Sequence, residues 1–120
     1  MVSVELSTPE CDSQVVVALR GELDVTEAAQ VAAALAMVAD GRTIIVDLEG
    51  LEYIDSSGLA ALARARLHAR RSGSDLLLAA PQQQVLRMLA ITRLIDVFAV
   101  HGCVGEAAGM AAPLAAGDAA

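Results

Sequence analysis

Two short, largely continuous apolar runs, residues 43–48 (TIIVDL) and 75–80 (DLLLAA), stand on either side of an Ala-rich stretch with helical spacing. Side chains of a strand point alternately to its two faces, so a strand that is apolar at successive positions needs cover on both. Buried strands separated by helices imply βαβ units and a parallel sheet with helices packed against it. This pattern constrains the fold more than any other feature of the chain.

The remaining segments extend the same plan. Val2, Val4 and Leu6 alternate with Ser3, Glu5 and Ser7, a period of two that predicts a half-buried strand. Residues 14–20 (QVVVALR) form a second strand, and the linker 9–12 is short enough for a hairpin, which adds an antiparallel edge. Asp24 and Thr26 offer capping oxygens, and Glu27 puts an acid in the first turn of a helix over 27–39 that ends at Asp40-Gly41. A short segment, 51–55, leads to Ser56-Ser57-Gly58, which opens a second helix to about Arg71. Further elements are a helix over 82–91, a strand over 97–100 and a helix over 102–112. Leu86, Met88 and Leu89 on the third helix suit either core or interface. The expected fold is α/β, a mixed, mostly parallel sheet of about five strands with four helices. It forms one domain over 1–112, with 113–120 as a disordered tail.

Composition removes several function classes. The 120 residues carry 8 basic against 15 acidic side chains, a net charge of -7, and every basic residue is arginine. That balance opposes non-specific nucleic-acid binding, which needs cations to displace counterions, and opposes a polybasic membrane anchor. Aromatics are 2%, too few for base-stacking surfaces, so the core is aliphatic. No run approaches the roughly 18–20 apolar residues of a membrane span, and no signal peptide is visible, so a cytoplasmic location without membrane insertion is expected. Cys11 and Cys103 are expected as independent reduced thiols. His68 and His101 sit in no ligand cluster, and neither metal nor cofactor is implied.

In open α/β sheets function gathers at loops beyond the carboxyl ends of strands. Two loops qualify: Gly21-Glu22-Leu23-Asp24-Val25-Thr26 and Tyr53-Ile54-Asp55-Ser56-Ser57-Gly58. If strands two and three are neighbours, the loops form one surface. A helix amino terminus favours an anion, so a serine there can cap the helix or accept a phosphate carrying roughly -1.5 to -2 charge. Asp24 is open to a similar choice between a turn role and partner contact. Gly58 would let a partner backbone approach, or serve the turn alone. Seven, eleven and fourteen residues beyond Ser57, helical geometry returns Arg64, His68 and Arg71 to nearly the same face. That stripe is a solvated face, a dock for an acidic surface, or, through Arg64, a phosphate holder.

Enzymatic readings find no support. The serine is not in a GxSxG elbow, no histidine completes a triad, and no Gly-rich loop carries a lysine. Asp47 with Glu49 and Glu52 with Asp55 are carboxylate pairs near a turn, where acids are usually solvated.

The stretch TIIVDLEGLEYIDSSGLAAL resembles the signature of STAS domains, in particular the bacterial anti-sigma-factor antagonists. GELDVTEAAQVAAAL and LLLAAPQQQVLRMLAITRLIDVFAV are similar to the same family's flanking segments, so the resemblance spans about residues 2–112. It implies that the second serine of DSSG, Ser57, is phosphorylated by a partner that is both anti-sigma factor and ATP-dependent serine kinase. The unphosphorylated protein would bind that partner and free a sigma factor, and a serine phosphatase would reset the phosphorylated form. Asp24, Thr26, Asp55, Ser56 and Gly58 would line the same surface. The resemblance equally allows a STAS regulatory or scaffold subunit of a transporter or stress-signalling complex, and, less readily, nucleotide binding. One departure stands out: Arg93 precedes Leu94 where the family often has glycine.

Overall fold

A computed structural model describes residues 1–7 and 13–115. The expected hairpin linker, with Cys11, and residues 116–120 of the expected tail lie outside the described residues. The elements run β1 (Val2–Ser7), β2 (Gln14–Leu23), α1 (Ala28–Ala39), β3 (Thr43–Asp47), β4 (Leu51–Ile54), α2 (Ser56–Arg71), β5 (Leu76–Ala79), α3 (Gln83–Ile91), β6 (Ala99–His101) and α4 (Val104–Ala115). Helix α4 thus takes in the first residues of the segment expected as a tail.

The sheet order is β1-β2-β3-β5-β6, with β4 paired to β2 off this path. β1 runs antiparallel to β2, with Val2 opposite Gly21 and Ser7 opposite Val16, and the other pairings are parallel. On one face Val15, Val17, Leu19, Ile44, Val46, Leu76 and Leu78 pack against Val31 and Leu35 of α1, Leu59 and Leu62 of α2, and Val85 and Leu89 of α3. On the other face Val16, Ile45, Leu77 and Ala79 meet Ala107 of α4. Cover on both faces is the physical reason why Ile44, Ile45 and Val46 of β3 and the whole of β5 are apolar at successive positions. Each fully buried Leu, Ile or Val contributes about 1.5–3 kcal/mol relative to exposure. Leu86 and Met88 pack against the same core as Leu89, which resolves the third helix's apolar face as core.

Among the described residues the sheet has six strands where about five were expected. The additional one is β4, the short segment leading into DSSG. Its burial runs inward, outward, outward, inward, which matches no strand period. Main-chain pairing creates it. β2 is long enough to serve two partners, β3 along Gln14–Ala18 and β4 along Gly21–Leu23, with a register shift between Gly21 and Glu22. Gly21 takes φ +96°, and its N–H donates to Gly50 O at 2.9 Å. The step from β3 to β4 is a turn in which the Asp47 carboxylate accepts the Glu49 N–H at 3.1 Å. Of the Asp47 and Glu49 carboxylates, that of Asp47 therefore does turn chemistry.

The last strand begins two residues later than expected, because Leu94–Asp96 forms a 3-10 turn and Phe98 is buried. The turn is entered through Arg93 in the left-handed region, φ 62° and ψ 21°. The departure noted in the sequence thus falls on a backbone conformation that glycine adopts without strain and arginine does not.

Candidate functional site

The two candidate loops meet, though through a different neighbour than expected. DSSG follows β4, not β3, and β4 lies beside the carboxyl end of β2, with Leu23 opposite Ile54. Just beyond that pair, the Asp55 N–H donates to Leu23 O at 3.3 Å. The loops therefore leave adjacent parallel strands at the same end of the sheet.

Asp55, not a serine, caps α2. It is extended at φ -111° and ψ -176°, and its carboxylate accepts the Gly58 N–H at 2.9 Å. This satisfies one of the donors a helix start leaves unpaired. Ser56 and Ser57 occupy the first turn, Ser56 exposed and Ser57 half-buried, and neither hydroxyl has a hydrogen-bond partner among the described residues.

Gly58 is buried, and its Cα faces inward. A Cβ there would lie 2.7 Å from Ile54 Cγ1 and 2.9 Å from both Leu23 Cγ and Leu23 O. Glycine lets the start of α2 close onto β2 and β4, a packing role rather than contact with an approaching partner backbone.

Asp24 and Thr26 form a local turn instead of capping α1. The Asp24 carboxylate accepts the Thr26 hydroxyl at 2.6 Å and the Thr26 N–H at 3.0 Å. These bonds to the charged form, that from the Thr26 hydroxyl foremost, hold the Asp24 carboxyl below the usual aspartate range. Asp24 is thus an anion near neutral pH. The residue at the cap position of α1 is Glu27, which makes no side-chain cap; its carboxylate instead accepts the Val2 N–H at 3.0 Å. Between the two polar residues, Val25 is 68% exposed, and Tyr53 at the end of β4 is also exposed. Both are apolar contributions to the same end of the sheet.

One residue that sequence reasoning missed positions the loop. Gln84 of α3 donates through Nε2 to Ile54 O at 3.1 Å and accepts the Ile54 N–H on Oε1 at 2.9 Å. Its amide acts as a one-residue strand on the free edge of β4, immediately before the cap. A glutamine three residues past Pro81 gives no sequence signal of this.

Arg64 is exposed on α2, two turns beyond Ser57, at about 10.5 Å along the axis by helical rise. The structure therefore does not bring it into the loop cluster with Asp24, Thr26 and Asp55. Among the described residues, no group of three or more His, Cys, Asp or Glu could hold a metal ion. Cys103 is a free, exposed thiol, and no described helix is long and apolar enough to cross a membrane.

The STAS-domain family model matches residues 5–107. Among curated proteins, the chain is similar to the anti-sigma-B factor antagonist of Listeria monocytogenes, 29% identical over 107 residues, covering 88% of this chain and 93% of that one. Among solved structures, an anti-sigma factor antagonist from Mycobacterium paratuberculosis superposes with a TM-score of 0.79 at 23% identity, over 92% of this chain and 94% of that one. The anti-sigma factor antagonist SpoIIAA in its unphosphorylated form gives a TM-score of 0.73 at 24% identity, over 88% and 92%. The phosphorylated form of the Bacillus protein gives 0.64 at 22% identity, over 90% and 98%. These structural likenesses establish the fold.

Proposed function

This chain belongs to the STAS-domain family, whose members are regulatory rather than catalytic, and we propose that it is an anti-sigma-factor antagonist switched by phosphorylation of Ser57. The observation that carries this reading is the division of labour at the start of α2. Asp55 caps the helix, and the half-buried Ser57 hydroxyl beside it has no partner among the described residues. The similarity to antagonists and to a protein known in phosphorylated and unphosphorylated forms supports the same reading.

In the unphosphorylated state the loop surface of Asp24, Val25, Thr26, Asp55, Ser56 and Ser57 binds an anti-sigma factor that is also a serine kinase, and a sigma factor is released. The kinase transfers the γ-phosphoryl group of ATP to Ser57 Oγ. The P–O bond to ADP breaks, and the hydroxyl proton passes to a base on the kinase. A serine phosphatase then hydrolyses the ester. The phosphate adds roughly -1.5 to -2 charge at a helix amino terminus, which tolerates it, beside two carboxylates, which do not. The folded chain persists while the partner is repelled. A loss of 1.4 kcal/mol weakens binding about tenfold, and a phosphate forced into a packed interface exceeds that.

Incubation with the cognate kinase and ATP tests the reading by intact mass and peptide mapping. A single added phosphate on Ser57, absent in Ser57→Ala, is the expected result. An unchanged mass, or labelling that persists in Ser57→Ala, sinks it.

A further inference from the structure

Half of the chain's eight basic residues lie on α2, as Arg64, Arg66, Arg70 and Arg71, and α2 itself contains no acid. Their surroundings divide them. Arg66 and Arg70 turn to Asp75, with nitrogen–oxygen distances of 3.1 and 3.3 Å. Arg64 and Arg71 are exposed and have no ion-pair or hydrogen-bond partner among the described residues. Gly58, Leu62, Ala65 and Ala69 are buried, and the opposite side of the helix presents Ala60, Arg64, Leu67 and Arg71. Leu67, between the two free arginines, is 51% exposed. The spacing from Ser57 through these residues is three, four, three, four, the seam along which one helix accepts another.

We infer that this seam docks an acidic helical segment of the partner protein. The matching segment has two carboxylates seven residues apart, facing Arg64 and Arg71, and a small or apolar residue between them over Leu67. Charge complementarity selects it: the chain as a whole carries -7, so an acidic partner is repelled elsewhere and attracted along α2. The seam also begins at Ser57. A phosphate there lies about 10.5 Å from Arg64 along the axis, too far to be neutralised by it, and faces the near end of the docked acidic segment. The inference rests on the proposed function for the identity of the partner, and not for the chemistry of the segment.

Two measurements on the full chain test it. The first is affinity for the kinase that phosphorylates Ser57. The Arg64→Glu/Arg71→Glu double variant is expected to bind at least about tenfold more weakly. Leu67→Ala should also weaken binding, while Arg87→Glu on α3 stays within about twofold of wild type. Wild-type affinity should fall as salt rises. If the kinase binds wild type and the double variant equally, the docking inference fails and the phosphorylation reading stands. The second measurement is an amide-shift titration with a soluble helical peptide carrying two glutamates seven apart and a leucine between them. Shifts confined to the outer face of α2, and lost in the double variant, support the inference even if no kinase binds and the phosphorylation reading falls. Shifts elsewhere, shifts unchanged in the double variant, or binding to anionic phospholipid vesicles in preference to the peptide overturn it. Native spectra of each variant confirm that folding is intact.

Discussion

The side-chain amide of Gln84 brackets the main chain of Ile54, accepting its N–H at 2.9 Å and donating to its carbonyl at 3.1 Å. Helix α3 thereby holds the residue that precedes the Asp55 cap, on the edge of β4 that β2 does not reach. Replacing Gln84 by Leu leaves two main-chain groups without their partner, at a cost of about 1–3 kcal/mol. Urea denaturation should show that loss, and amide exchange at Ile54 and Asp55 should accelerate. Unchanged exchange there would mean that the clamp does not hold the loop.

Asp55 and Ser57 should respond unequally to truncation. Asp55→Ala removes the cap and is expected to destabilise the protein by about 1 kcal/mol. Ser57→Ala removes a hydroxyl with no partner among the described residues and should stay within about 0.5 kcal/mol of wild type. Thermal unfolding of the two variants measures the difference. Equal losses would return the capping role to the serine.

Gly58 has no room for a methyl group, with Leu23 O only 2.9 Å from the position of a Cβ. Gly58→Ala is expected to cost about 1–3 kcal/mol through overpacking. It should also displace the start of α2 from β2, visible as shift changes at Leu23 and Ile54. A variant as stable as wild type, with those shifts unchanged, would contradict the packing role.

The lowered Asp24 pKa depends first on the Thr26 hydroxyl, so Thr26→Val should move it upward towards the ordinary aspartate value. A carboxyl depressed on folding favours the native state above its unfolded pKa, and the contribution is lost as pH falls through the folded value. In Thr26→Val that contribution, present at neutral pH, shrinks, so the variant loses less stability than wild type as pH falls, although Asp24 is ionised near neutral pH in both proteins. Carboxyl-detected NMR titration gives the two values directly, and identical midpoints would remove the hydroxyl as the cause.

Arg93 holds a left-handed backbone at φ 62°, which disfavours a side chain by about 1–2 kcal/mol, while glycine forfeits part of that gain in the unfolded chain. Arg93→Gly should therefore raise stability by about 1 kcal/mol or less. Chemical denaturation of the pair decides it. A fall in stability would show that the arginine makes a compensating interaction.

The parallel sheet and its helical cover were legible because burial on two faces leaves a mark in sequence: β3 and β5 cannot be apolar at successive positions and lie open to water. The first strand and its antiparallel pairing were legible through the alternation of Val2, Val4 and Leu6, but its expected burial was not met: Val4 and Leu6 are exposed and only Val2 packs against the core, because β1 is an edge strand. The candidate loop was legible as a location, since a run of Asp, Ser, Ser and Gly opening a helix reports on unpaired N–H groups whatever encloses them. β4 was not legible, because its pairing with β2 uses main-chain groups that every residue carries. The Gln84 clamp escaped for the related reason that its partner is main chain 30 residues away.

The sequence by itself determined the α/β class, the aliphatic core and the position of the two candidate loops, since periodicity, composition and helix-start chemistry are local. Only the tertiary structure decided the roles within that place. Asp55 rather than a serine caps α2, Gly58 packs inward, and Arg64 and Arg71 have no partner among the described residues while Arg66 and Arg70 turn to Asp75. Each outcome turns on which groups arrive within a few ångströms from distant parts of the chain, and chemically similar neighbours differ only in the direction the backbone points them.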